Sequence, residues 1–331
     1  MSKKNKKKNK DPNSKLKKLV ILLTFLVLIV PISSLGYLYF SLHSIHDDSV
    51  DDNILNNNDY KFEKGITNIL LIGSDGRSDD GSPSRSDSMM ILTVDNSNKQ
   101  LKLTSLARDT YVNIEGYGME KLTHAYVYGG VNLLIDTIES NFELDIQDYI
   151  SVDFFAFMAI VDTLGGIEID VKDDEINELN KYAKESYNLI DDFNKAPFES
   201  INSSGLQTLN GYQALSYARI RKNDDAFSRD ERQRAIIQSI TNGIKDLSLT
   251  KYPSLINSIL PFVKTSINPG SIMNLGTTVL GFGNLNINQF AFPINDGVNS
   301  EGGIVGSDGW VLQFYPSSLE ILHDFIFKSV E

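Results

Sequence analysis

Residues 68–112 read "NILLIGSDGRSDDGSPSRSDSMMILTVDNSNKQLKLTSLARDTYV", and the reading of this stretch decides the fold. A short apolar run of strand length ends in Gly73, Ser74 and Asp75. After a stretch rich in Ser, Asp and Arg, residues 88–95 alternate in polarity, and the turn Asn96-Ser97-Asn98 leads into a similar run at 100–107. Two period-two segments joined by a short polar turn predict a hairpin. Downstream, apolar residues recur at helical spacing over 129–142 and 153–164, and Gly165-Gly166 then turns the chain into the strand-like 167–171. The segment 209–221 predicts a short helix opened by Asn210, then a strand carrying Arg219 and Arg221. A further helix is expected over 228–247, with Ser228 as its N-cap. Strands and helices alternate around one hairpin, which predicts a layered α/β/α fold with a central mixed sheet.

The N-terminus sets the environment of this domain. Nine lysines and one aspartate occupy the first 18 residues, and residues 19–40, "LVILLTFLVLIVPISSLGYLYF", carry no charge. Twenty-two residues at about 1.5 Å each span a bilayer core of roughly 30 Å. The expectation is a basic cytoplasmic tail (1–18), a single transmembrane anchor (19–40) and an extracellular polar stalk (41–64). Residues 65–331 follow as one large folded domain, with a motif-bearing core at 65–245 that 246–331 completes. The whole chain has 31 basic and 43 acidic residues; without the tail, the remainder is near −20. Such an acidic exterior argues against a nucleic-acid partner. Cysteine is absent, so thiolate chemistry is closed to it.

Against that acidity the arginines stand out. There are eight: Arg77, Arg85, Arg108, Arg219, Arg221, Arg229, Arg232 and Arg234, all in three short segments. Guanidinium grips phosphate or carboxylate through two parallel hydrogen bonds, which lysine cannot do. Asp75 and Asp87 flank the loop that holds Arg77 and Arg85, and two carboxylates at strand ends suit Mg²⁺, which leaves coordination positions to substrate phosphate. Arg229, Arg232 and Gln233 share a helical stripe that continues into Ile236 and Ile240, whereas Arg234 falls on another side, toward solvent. Five or six guanidiniums converging with one metal fit a pyrophosphate. His124 is expected to pack or turn the chain rather than bind a ligand.

The segments "GSDGR", "RSDSMM", "ARDTYV", "KLTHAYVYGG", "DTLGGIEIDV", "LNGYQALSYARIR" and "RDERQR" resemble, in order and spacing, the LytR–CpsA–Psr family of cell-wall proteins. The resemblance implies a membrane-anchored phosphotransferase. Its donor is a glycopolymer on undecaprenyl pyrophosphate, and its acceptor is the C6 hydroxyl of N-acetylmuramic acid in peptidoglycan. Asp75 and Asp87 then resemble the Mg²⁺ (or Mn²⁺) ligands, and Arg85, Arg108, Arg219 and Arg221 the catalytic arginines. Arg77, Arg229, Arg232 and Gln233 complete the substrate contacts. Where the family has an aspartate before an aromatic, this chain has Ala226, with Asp225 beside it. Residues 154–166 are apolar nearly all round; burial against the sheet is the expectation, and the wall of a lipid slot the alternative. A prenyl-pyrophosphate hydrolase or a non-catalytic lipid-binding regulator are the competing functions.

Overall fold

The predicted hairpin lies at the centre of the protein. The computed structural model describes residues 36–37, 39–47, 50, 60–74, 86–190, 195–220, 226–248, 251–283, 286–294 and 296–330. Strand β1 (Ile66–Ser74) pairs antiparallel with β2 (Ser86–Asp95), and β2 with β3 (Gln100–Leu106). After β4 (Tyr111–Ile114) and β5 (Gly118–Lys121), which pair only with each other, comes helix α1 (Leu122–Phe142). Strand β6 (Asp148–Val152) runs parallel to β1 and leads into α2 (Phe154–Leu164). A second excursion comprises β7 (Ile167–Val171), α3 (Ile176–Leu189), β8 (Gly205–Leu209), α4 (Gly211–Ala218) and α5 (Ala226–Asp246), with β7 and β8 paired antiparallel. The chain closes with α6 (Tyr252–Ile259), β9 (Val263–Thr265), α7 (Pro269–Leu280), β10 (Ile287–Phe292), the hairpin β11 (Ser300–Val305) and β12 (Gly309–Phe314), and α8 (Pro316–Phe327). The main sheet has the order β10-β3-β2-β1-β6-β9 and mixes parallel and antiparallel pairs, as the alternation predicts.

The two faces of this sheet differ. Ile66, Leu70, Ile72, Met89, Ile91, Leu106 and Phe292 point to one face. There they form a buried cluster with Leu134, Ile138 and Phe142 of α1 and Leu322 and Ile326 of α8. Ile69, Leu71, Leu92, Val94, Leu101 and Ile150 point the other way, toward Ile272, Leu275 and Val279 of α7. Strand alternation allows nothing else: residues two apart share a face.

Three local expectations need correction. Arg219 does not lie on a strand: it caps the C-terminus of α4 with helical backbone angles, because the Asn210–Gln213 capping box opens that helix and the chain holds it through Ala218. Helix α5 begins at Ala226, so Ser228 is inside it rather than at its N-cap. Helix α1 starts at Leu122, not near 129; Gly129 and Gly130 interrupt it, Gly130 at φ 64°, where side chains are disfavoured.

Residues 36–37 and 39–43 are helical and belong to a unit distinct from the one that begins at Ile45. Among the described residues no helix is long and apolar enough to cross a membrane, and residues 19–35 of the expected anchor lie outside them.

Candidate functional site

Parallel strands β1 and β6 end at the same edge of the sheet, with Gly73 opposite Val152. Strand β3 ends there too, since Ser105 faces Met90 of β2, which enters from that edge. Open α/β sheets bind ligands outside the carboxyl ends of their strands. At this edge the β1–β2 register slips: Gly73 pairs with Ser88 but Ser74 with Ser86, so position 87 is the extra residue of a bulge. Bulges of this kind re-aim a side chain beside functional sites. Asp75, Arg77, Arg85 and Arg221 lie outside the described residues, as does the 221–225 stretch that includes Asp225.

Below this edge, between the second face of the sheet and helices α2, α4 and α5, lies an apolar cavity of about 230 Å³. The sheet contributes Leu71, Gly73, Met90, Ile150 and Val152; α2 contributes Phe154, Phe157 and Ile160; α5 contributes Ile236, Ile237 and Ile240. Phe154, Phe157 and Ile160 of this helix line the cavity, and Phe154 is at the same time buried with Ala156, Met158 and Val161. One helix serves both roles because its apolar surface extends beyond the stripe that packing needs.

The polar lining is Ser88, Asp153, Arg219, Arg229 and Gln233. Asp153 joins β6 to α2 and caps the helix, accepting the Ala156 N–H at 2.8 Å. Burial pushes its carboxyl above the ordinary aspartate range, partly offset by backbone N–H groups. Arg219 is held between two rings, 5.4 Å from the centroids of both Phe154 and Tyr182, and its guanidinium donates to Ser186 Oγ at 3.1 Å and approaches Glu185 at 3.5 Å. Stacking and a fixed hydrogen bond preorganise its planar fork. Arg229 and Gln233, four apart on α5, occupy one side of the cavity, and Ile236, Ile237 and Ile240 continue that side.

Of the other arginines among the described residues, Arg108, Arg232 and Arg234 do not line this cavity. Arg232 is turned into the fold, where its Nη1 meets Glu175 Oε1 at 3.0 Å and its Nη2 donates to the Ile220 carbonyl at 3.2 Å. Arg234 is not in solvent: it donates to Ser105 Oγ of β3 at 3.1 Å. Arg108, just past β3, lines a second cleft of about 320 Å³ with Asp109, Lys121, Thr123, His124, Val127 and Tyr128. Its Nε lies 3.4 Å from Asp109, which also meets Lys121 at 3.2 Å. His124 Nδ1 is 2.7 Å from Glu120 Oε2 in the same region. Among the described residues no group of three or more His, Asp or Glu is placed to hold a metal. Sequence reasoning passed over Asp153, which resembles an ordinary helix cap, and the pair Tyr117 and Tyr128.

The site is thus an apolar slot under the carboxyl edge of a mixed sheet in an α/β protein, with Arg219 and Arg229 in its wall. The family model described as the LytR_cpsA_psr family matches residues 35–312, and the chain belongs to that family. It is 32% identical over 265 residues to the polyisoprenyl-teichoic acid–peptidoglycan teichoic acid transferase TagU of Bacillus subtilis, covering 76% of this chain and 79% of that protein. TagU of Oceanobacillus iheyensis is also 32% identical, over 259 residues, with 75% and 74% covered. Among solved structures, TagT bound to LIIa-WTA superimposes with a TM-score of 0.64 at 24% identity, covering 82% of this chain and 96% of that one. TagT with bound octaprenyl pyrophosphate gives 0.60 at 22%, covering 82% and 98%. At these identities the structural likeness shows the fold.

Proposed function

We propose that this protein is a transferase that moves an anionic glycopolymer of the teichoic-acid or capsule type from an undecaprenyl-pyrophosphate carrier to the C6 hydroxyl of N-acetylmuramic acid in peptidoglycan. The observation that carries this reading is the slot: a cavity lined mainly by apolar side chains that also holds Arg219 and Arg229. A prenyl chain suits the apolar wall, and the guanidiniums suit its diphosphate head. The TagU relatives are named for this class of reaction.

In the reaction the acceptor hydroxyl oxygen forms a bond to the polymer-side phosphorus, the bond from that phosphorus to the bridging oxygen breaks, and the hydroxyl proton passes on balance to the prenyl phosphate that leaves. Charge shifts toward the leaving phosphate, so catalysis rests on fixed positive groups and on orientation of the hydroxyl. Arg219, held by Phe154, Tyr182 and Ser186, meets that charge without rearranging. Arg229 and Gln233 place further donors on the opposite helix. The bulge at position 87, with Ser74 paired to Ser86, puts the Asp87 backbone beside the end of β1, one residue before Asp75 in sequence. That backbone course suits a hard cation held by Asp75 and Asp87. Mg²⁺ there would neutralise phosphate charge. The anchor at 19–40 would hold the domain on the outer membrane face, where its substrates are.

The experiment is transfer of labelled polymer from its prenyl-pyrophosphate carrier to purified peptidoglycan. Wild-type protein is expected to couple label to the wall. Release of free polymer with no coupling would instead favour the hydrolase.

A further inference from the structure

Outside the slot, a buried ion pair joins α3, α4 and α5. Glu175 immediately precedes α3 and Arg232 lies on α5, and the two are 6% and 7% exposed. Arg232 Nη1 is 3.0 Å from Glu175 Oε1, and its Nη2 donates to the Ile220 carbonyl, just past α4, at 3.2 Å. The second carboxylate oxygen of Glu175 accepts the Lys172 N–H at 3.0 Å, and the Glu175 carbonyl accepts the Leu179 N–H at 2.8 Å. The Tyr217 ring centroid lies 5.9 Å from the Arg232 guanidinium. Burial, then the charge of Glu175, raises the Tyr217 phenol above its ordinary pKa, so it adds no second negative charge. Arg232 thus ties the residue that follows Arg219 to the helix that carries Arg229, and Glu175 ties both to the head of α3.

Each of these helices has a part in the guanidinium wall. Helix α3 carries Tyr182 and Ser186, which hold the Arg219 guanidinium; α4 ends in Arg219; α5 carries Arg229 and Gln233. Arg232 is one turn along α5 from Arg229, yet neither it nor Glu175 lines the slot. Stability alone is a weak reason for such a pair, since apolar residues of similar volume often serve as well or better. What the pair supplies is geometry. A planar fork makes two bonds in fixed directions, here to a carboxylate on one element and a carbonyl on another. In group transfer that geometry counts, because a displacement of about 1 Å can cost on the order of 10²-fold in rate.

We propose that Glu175 and Arg232 are positioning residues that set the spacing between the guanidiniums of Arg219 and Arg229 to suit a diphosphate. This role rests on the transferase reading for the reaction it serves. The test uses the full chain in detergent and two variants. Arg232→Lys keeps a charge opposite Glu175 but loses the fork; Glu175→Leu combined with Arg232→Met removes both charges at similar volume. Titrations compare octaprenyl pyrophosphate with octaprenyl phosphate, and denaturant unfolding establishes that each variant is folded. Wild type should prefer the diphosphate. In both variants that preference should fall on the order of tenfold, with octaprenyl phosphate affinity kept within about twofold and kcat for polymer transfer lowered about 10- to 100-fold. A pair with a structural role alone would move neither the preference nor the turnover of folded protein. An undiminished preference or full turnover in either folded variant overturns the proposal, as does a wild type that binds the two lipids equally. Arg232→Lys decides by itself should the double variant not fold. A wild type that prefers the diphosphate but transfers no polymer counts against the transferase reading, and the preference then decides the positioning role alone.

Discussion

The two faces of the central sheet are built from the same kinds of residue and are filled to different degrees: on the second, Ile69, Val94 and Leu101 are buried but some of their neighbours are not. On one face, Leu70 and Ile91 meet Leu134, Ile138 and Phe142 of α1 and Leu322 and Ile326 of α8, all with no measurable exposure. On the other, Leu71, Leu92 and Ile150 remain only half-buried, and α2 and α5 leave an apolar cavity over Leu71 and Ile150. Interiors pack at close to crystal density, so an apolar space of this size is costly as structure alone. The difference teaches that hydrophobicity here has two uses. One face is packed throughout by α1 and α8; the other leaves the space that the proposed function fills with a prenyl chain.

Substitutions sharpen that contrast. Phe142 is fully buried with its ring 4.8 Å from Phe292 and 5.6 Å from Phe314; Phe142→Ala should cost about 3–5 kcal/mol, read by denaturant unfolding. Arg219→Ala should lower transfer on the order of 10²–10³-fold, equivalent to about 2.7–4 kcal/mol, with the unfolding midpoint little changed. A parallel loss of stability would place that arginine in the structural class of Arg232. Leu71→Ala, on the ligand face, should cost only about 1–2 kcal/mol yet weaken prenyl-pyrophosphate binding on the order of tenfold. If it destabilised the fold as much as Phe142→Ala, the contrast between the faces would be lost.

The smallest effect concerns Asp162, whose Oδ1 accepts the Gly211 N–H at 2.7 Å. Burial raises its pKa above the ordinary value, partly offset by that hydrogen bond. The folded protein therefore holds this proton more tightly than the unfolded chain does. The resulting stability is complete below the unfolded pKa of about 3.9 and is lost as pH rises through the higher folded value. Asp162→Asn keeps an acceptor for Gly211 and removes the charge. It should equal or exceed wild type by under about 1 kcal/mol at pH 7, with the advantage vanishing near pH 3. An advantage that grows on acidification would contradict the assignment.

What the sequence made legible was local. The β2–β3 hairpin followed from alternation across Asn96–Asn98, α2 from helical spacing ended by Gly165-Gly166, and α4's start from Asn210. Arg229 and Gln233 were placed with Ile236 and Ile240 by helical periodicity alone. Tertiary partners were what could not be read. Arg232 faces Glu175, 57 residues away, and Arg234 reaches Ser105, 129 residues away. Nothing in a helical wheel distinguishes a guanidinium that meets a ligand from one that meets a distant carboxylate. Arg219 was misplaced because an eight-residue helix is too short to declare where it ends. The slot could be named only as the alternative for residues 154–166, since a helix packed on a sheet and one standing off it have the same apolar composition.

The most direct measurement is the affinity of octaprenyl pyrophosphate for wild-type protein and for Ile237→Trp, which puts an indole into the slot from α5, each set against inorganic pyrophosphate. The prenyl ligand is expected to bind wild type far more tightly than pyrophosphate does, and the indole to remove this advantage while the protein stays folded. Equal prenyl affinity in the folded tryptophan variant would contradict it.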